Sequence, residues 1–281
     1  MSKYHQKGVS YVNKLSINVS NLEGSLTYYE KVIGLSLLER DENKAVLTAD
    51  QVTPLLILNQ PSKVLPKPRR TTGLYHFALL LKERSQLANF LGHLIEKRIP
   101  HGSADHILTE ALYLNDPDGN GIEVYYDKKD EEVDGTVESL EMATLPLDQA
   151  SLLRVRTGDW RKMPKDTIIG HIHLQVDSLE EAKAFYVDTL GFDIIARYPG
   201  ALFISDGGYH HHIGLNTWNG EDAPAPPKDS VGLNWYNIVL SSIEEHEAIV
   251  LRLKENGYPI VNEGEYLTTE DPAGNKIRLI V

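Results

Sequence analysis

The stretch DPDGNGIEVYY, Asp116–Tyr126, reads as a tight turn that runs straight into a β-strand. Asp, Pro, Gly and Asn let the backbone reverse at little cost, and Ile122, Glu123, Val124 and Tyr125 then alternate with the period of two that strands show. Glu123 sits between apolar residues on the inward face of that strand. An ionised carboxylate in such surroundings is costly unless something pairs with it. A metal ion, completed by histidines from elsewhere in the chain, is the candidate partner.

The turn recurs, and the recurrence sets the architecture. DPAGN at Asp271–Asn275 repeats DPDGN at Asp116–Asn120, and GLNWYNIVL at Gly232–Leu240 repeats GLYHFALLL at Gly73–Leu81. A second pair of copies is NKLSINVSNLEGSLTYYEKVIGL at Asn13–Leu35 and GHIHLQVDSLEEAKAFYVDTLGF at Gly170–Phe192, in which Val19 matches Val176, Leu22 matches Leu179, Tyr29 matches Tyr186 and Gly34 matches Gly191. Each copy reads as a strand, a helix, then two or three strands; Leu87, Phe90, Leu91, Leu94 and Ile95 show the helical spacing. The template predicts units at 10–61, 72–128, 167–218 and 231–281. Between the second and third lies a crossover, 129–166, helical around Leu147–Arg154, and Pro61–Arg70 and Glu221–Lys228 read as surface loops. The expected class is α+β with curved sheets.

Composition narrows the function. At 281 residues, 41% hydrophobic and 24% charged, the chain is long enough for two ordinary domains, and no apolar run approaches a membrane span. With no cysteine, a metal would have to be held by His and carboxylate. A net charge of -12 argues against nucleic acid or anionic membranes as partners. The start, MSKYHQKG, lacks the apolar core of a signal peptide, so a cytoplasmic protein acting on a small molecule is expected.

Because the units share a template, equivalent positions can be compared within one chain. At the start of the first strand, the second and third units carry His76 and His171, where the first and fourth carry Lys14 and Trp235. Four residues after the turn glycine, the second unit has Glu123 and the fourth Arg278. The last strand of the third unit is expected to hold His210, His211 and His212 in YHHHIGLN, with Leu55 of the first unit opposite His212. Every ligand-type residue therefore falls in the two central units. Two His and one carboxylate suit non-haem Fe(II), with Mn(II) possible, provided the second and third units meet in space.

At these residues the chain resembles the vicinal oxygen chelate superfamily, whose βαβββ modules pair into cup-shaped sheets, and within it the type I extradiol dioxygenases, most like the bacillus-type catechol 2,3-dioxygenases. The likeness runs over nearly the whole chain and is most specific in TGLYHFALLL, ADHILTEALYLNDPDGNGIEVYY, GHIHLQV and GYHHHIGLN. It implies His76, Glu123 and His171 as metal ligands, His212 as the acid–base histidine, Tyr113 as a substrate-oxygen donor and His106, at a shorter spacing than the pattern, as its companion. His210 shares the strand face expected for His212 and is its rival; His173 is expected either to line the pocket or to hydrogen-bond behind a metal ligand, while Trp218 and Phe77 read as packing. The implied reaction is Fe(II)-dependent cleavage of a catechol beside its diol, with dioxygen, to a 2-hydroxymuconic semialdehyde-type product by a homo-oligomer. In better-known relatives the metal lies between the third and fourth modules, whereas here the fourth carries Trp235 and Arg278. The alternatives on the same fold are a glyoxalase I-like isomerase or lyase, disfavoured because no second carboxylate occupies an equivalent position, and a metal-free binding or resistance protein.

Overall fold

The computed structural model describes residues 2–133, 144–264 and 266–281; of the expected crossover, residues 134–143 lie outside the described residues, as does residue 265 of the fourth unit. Four copies of one arrangement follow in order. The first is β1 (Tyr11–Asn18), α1 (Leu22–Tyr28), β2 (Ser36–Arg40), β3 (Lys44–Thr48) and β4 (Pro54–Asn59). The second is β5 (Gly73–Leu81), α2 (Arg84–Glu96), β6 (Gly102–Asp105), β7 (Thr109–Asn115) and β8 (Gly121–Asp127). After α3 (Gln149–Arg154) come β9 (Ile168–Gln175), α4 (Leu179–Lys183), β10 (Asp193–Tyr198), β11 (Ala201–Ser205) and β12 (Ile213–Asn216). The last copy is β13 (Gly232–Val239), α5 (Ile243–Glu255), β14 (Val261–Asn262), β15 (Leu267–Glu270) and β16 (Lys276–Ile280). Among the described residues no helix is long and apolar enough to cross a membrane.

The strands form two eight-stranded sheets, ordered β10-β11-β12-β9-β5-β8-β7-β6 and β14-β15-β16-β13-β1-β4-β3-β2. Within a copy, the first strand lies parallel to the last, a link that needs the intervening helix as its crossover, and the last three strands form an antiparallel meander. Two copies then join through their first strands, β5 against β9 and β1 against β13, both antiparallel. Residues 73–127 and 168–216 thus build one sheet, and the outer copies build the other.

Alternation decides which face packs. Leu15, Ile17, Phe77, Leu79, Ile172, Leu174, Tyr236 and Ile238 point into one continuous core shared by both sheets and by Leu26, Phe90, Leu94, Ile249 and Leu253 of the helices. The other face of each sheet is left to line a concavity. α1, α4 and α5 begin at Asn21, Ser178 and Ser242, whose side chains accept from backbone N–H groups three residues on.

The repeated Tyr and the repeated turn have one explanation. α1 and α4 each widen into a π-turn, Tyr29–Ile33 and Ala184–Thr189. The hydroxyl of Tyr29 donates to Asp116 at 3.0 Å, and that of Tyr186 to Asp271 at 2.8 Å. Each aspartate also accepts from the backbone and side chain of the turn asparagine, Asn120 or Asn275. Gly119 and Gly274, at φ of 83° and 86°, supply the left-handed residue that closes each turn. β8 therefore leaves a pinned turn, and Glu123 lies four residues beyond it.

One expectation fails here. His210, His211 and His212 are not on the last strand of the third unit; they lie in the connection before β12, after Gly207 and Gly208, both at positive φ.

Candidate active site

Three strands bring the expected ligands together. On the sheet of the central units, Tyr113 on β7 is in register with Glu123 on β8, Glu123 with Ala78 on β5, and Ala78 with His171 on β9. His76 precedes Ala78 by two residues and shares its face. Ala78 carries only a methyl group, so Glu123 and the two imidazoles meet above it. Glu123 Oε2 lies 3.0 Å from His76 Nε2 and 3.1 Å from His171 Nε2, and the two nitrogens are 3.4 Å apart. All three residues are buried.

Burial by itself raises the Glu123 carboxyl, but charge and hydrogen bonds from His171 and then His76 outweigh it and hold the group well below the usual range. His171 is shifted downward by its burial against the pull of Glu123. Among the described residues no lysine or arginine pairs with Glu123. A buried carboxylate beside two imidazole nitrogens is the donor set of a divalent cation, so these residues fit a metal ion.

A cavity of about 400 Å³ opens over this group. Its wall includes His76, Glu123, Tyr113 and His106, while His171, at 1% exposure, lies beneath the floor. The Tyr113 hydroxyl and His106 Nε2 are 2.7 Å apart, with His106 in the turn between β6 and β7. Burial, and then the Glu123 charge, push the Tyr113 phenol well above its ordinary value, which keeps it a donor.

His212, expected as the acid–base histidine, is not among the residues that line the cavity. Its Nε2 donates to the Tyr4 carbonyl at 2.9 Å and its Nδ1 accepts from the Asp206 N–H at 3.3 Å, so both ring nitrogens are engaged. Burial, with His5 beside it, lowers it to about 3. His211 and His210 line the cavity instead; the His211 ring centroid is 4.1 Å from that of His171. Neither His211 Nδ1 nor His210 Nε2 has a hydrogen-bond partner among the described residues. Burial and the neighbouring imidazoles hold both rings well below 6.5, hence neutral. The rule that neighbouring residues point to opposite faces applies to strands; these two sit in a turn, so both can face inward.

His173 lines the cavity with an unpartnered Nε2, as expected of its strand position. Phe77 is core, as expected, but Trp218 is 48% exposed and stands at the cavity wall with Tyr75, their ring centroids 5.4 Å apart. A further network lies beside the cavity, outside the reach of sequence pattern. Tyr125 and Tyr209 hydroxyls are 2.6 Å apart, Tyr209 donates to Asp127, and Asp127 lies 3.7 Å from His210 Nδ1. Burial raises Asp127 to about 7, against the Tyr209 hydrogen bond. The two tyrosines look apolar in a sequence pattern and lie 84 residues apart, so no local signal could join them.

A family model described as the Glyoxalase/Bleomycin resistance protein/Dioxygenase superfamily matches residues 11–124 and 168–279. The chain belongs to this superfamily. The first matched stretch holds the first and second βαβββ copies and the other the third and fourth, and the break between them is the crossover. Within the superfamily, the chain is 46% identical over 278 residues to a catechol-2,3-dioxygenase of Bacillus subtilis (strain 168), covering 97% of this chain and 96% of that one. Among solved structures, a putative dioxygenase from Bacillus subtilis superposes with a TM-score of 0.67 at 10% identity, over 98% of this chain and 86% of that one. Glyoxalase I from Zea mays gives 0.58 at 18% identity, over 96% and 92%. These two likenesses concern the fold alone.

Proposed function

We propose that this superfamily member is an extradiol dioxygenase that opens a catechol ring beside its diol, with His76, Glu123 and His171 holding Fe(II), or Mn(II) in its place. The observation that carries this reading is the meeting of those three side chains under one cavity, in a chain nearly half identical, end to end, to a protein named for that activity. Once bound, the metal would act as a Lewis acid toward the diol oxygens and as the redox partner linking catechol and dioxygen.

The chain's own residues have separable tasks. Tyr113 donates to a diol oxygen and His106, 2.7 Å behind it, fixes the direction of that hydroxyl. His211, neutral and lining the cavity, accepts a proton released by the diol and returns it as the ring opens. His173 and Trp218, whose ring centroids are 5.5 Å apart, line the cavity and bound the space for the ring. A second His donor pair, His210 with His211, reaches toward His171 but offers no carboxylate, so it does not supply the four-ligand set of an isomerase.

The test is anaerobic reconstitution with Fe(II) followed by catechol and oxygen. Stoichiometric oxygen uptake with a yellow product, lost in Glu123→Ala, is the expected result. A protein that retains one metal per chain and consumes no oxygen would refute the assignment and leave an isomerase or lyase on the same cup.

A further inference from the structure

The second sheet repeats the geometry of the first with different chemistry. In the row where the first sheet has Tyr113, Glu123, Ala78 and His171, the second has Thr268 on β15, Arg278 on β16, Asn237 on β13 and Lys14 on β1, each in register with the next. Their strand neighbours Tyr236, Ile238, Ile277, Leu279 and Leu15 all belong to the shared core, so this row points to the opposite, concave side. Trp235, in place of His76, lies beside the row and packs on Val46 and Ile57.

Asn237 is 0% exposed, yet neither its Nδ2 nor its Oδ1 has a hydrogen-bond partner among the described residues. The Thr268 hydroxyl, at 4% exposure, and Arg278 Nε are also unpartnered. Native proteins leave few buried polar groups in this condition, and each calls for an explanation. The row also carries two cations, Lys14 and Arg278. Arg278 lies with its guanidinium carbon 3.9 Å from the Trp235 ring centroid and 5.0 Å from that of Tyr266, and it pairs with the Glu263 carboxylate at 3.2 Å. Lys14 has no carboxylate within ion-pair distance among the described residues, and the charges it meets are those of Arg278 and Lys44.

We propose that this second cup is a binding site for a small organic carboxylate with an apolar body. The carboxylate lies between Lys14 and Arg278, the Asn237 amide and Thr268 hydroxyl complete its hydrogen bonds, and the apolar body rests on Val46, Ile57 and the edge of Trp235. The site is independent of ring cleavage: it shares no residue with the His76 cavity and needs no metal. Its cationic row cannot hold a divalent cation, and the anionic row of the other sheet cannot hold a carboxylate without one. One template thus yields two sites of opposite charge preference.

4-Bromobenzoate, which lacks a vicinal diol, is the probe, titrated calorimetrically into the full chain. Expected is one site per chain whose affinity falls at least about tenfold in Lys14→Met and in Arg278→Gln, the loss of one charge-assisted contact each, and holds in Glu123→Gln. Should Arg278→Gln fail to fold, Lys14→Met and the anomalous bromine signal of a soaked crystal decide. Bromine beside Trp235 supports the site. No binding up to about 10 mM, binding that survives Lys14→Met, binding lost in Glu123→Gln, or bromine only beside His76 would each overturn it. Because the readout involves no turnover, a failure here leaves the dioxygenase reading untouched, and the reverse holds too.

Discussion

His211 and His212 are adjacent in sequence and opposite in circumstance. His211 lines the cavity, whereas both nitrogens of His212 are engaged by Tyr4 and Asp206. His211→Ala should therefore lower kcat by about 10²–10⁴-fold, the usual worth of a positioned acid–base group, with metal content unchanged. His212→Ala should keep turnover within a few-fold and lose stability, since it leaves a buried carbonyl and N–H unpaired. Equal losses in kcat from both would sink the assignment of the proton to His211. A second residue-scale consequence concerns pH. His5 donates its Nε2 to the Gly170 carbonyl, and burial lowers it to about 4. A histidine with a depressed folded value stays neutral while the unfolded chain takes up its proton, so its contribution is complete above the unfolded value near 6.5 and is lost as pH falls toward 4. The rate of loss is about 1.4 kcal/mol per pH unit for such a group. Urea unfolding of the metal-free protein at several pH values should show that slope reduced by one group's share in His5→Gln; an unchanged slope would mean that His5 titrates normally in the folded state.

At the scale of elements, the site depends on small residues that let strands and rings approach. Gly170, next to His171 on β9, lies against the Tyr125 hydroxyl, and a Cβ there would collide with it. Gly170→Ala is expected to cost on the order of 1–3 kcal/mol through overpacking, and several degrees of Tm. It should also weaken metal retention, because Tyr125 and His171 have ring centroids 4.9 Å apart. Unchanged Tm would show that Tyr125 relaxes freely. The same scale explains what could be foreseen. Regular alternation, Gly119 and the Tyr29 and Tyr186 repeats carry strand, turn and helix in the sequence itself, and from them His76, Glu123 and His171 were placed on strands of the two central units. The histidine run aligns with a strand of the first unit but lies outside β12, because Gly207 and Gly208, both at positive φ, turn the chain before it. The Asp127–Tyr209–Tyr125 chain was out of reach because it rests on contacts between distant units, which periodicity does not record.

For the molecule as a whole, duplication has left one cup that fits a divalent cation and one that does not, joined by a single core. Leu15 and Ile17 of β1 pack in the same cluster as Ile172 and Leu174 of β9, and the helices of all four copies feed it except at their exposed faces. A core shared in this way couples the two sheets, so neither can lose its packing without exposing the other. A ligand that binds only the folded state stabilises by about 2.7 kcal/mol at a hundredfold excess over its Kd. Although the ion would touch only β5, β8 and β9, that stabilisation should extend to β1, β13 and β16. Calorimetric unfolding under nitrogen with and without Mn(II) is expected to show one transition that moves upward as a whole in the native chain and stays in place in His76→Ala. Two transitions, of which Mn(II) moves one, would mean that the sheets unfold separately and that the core between them is weaker than its burial implies.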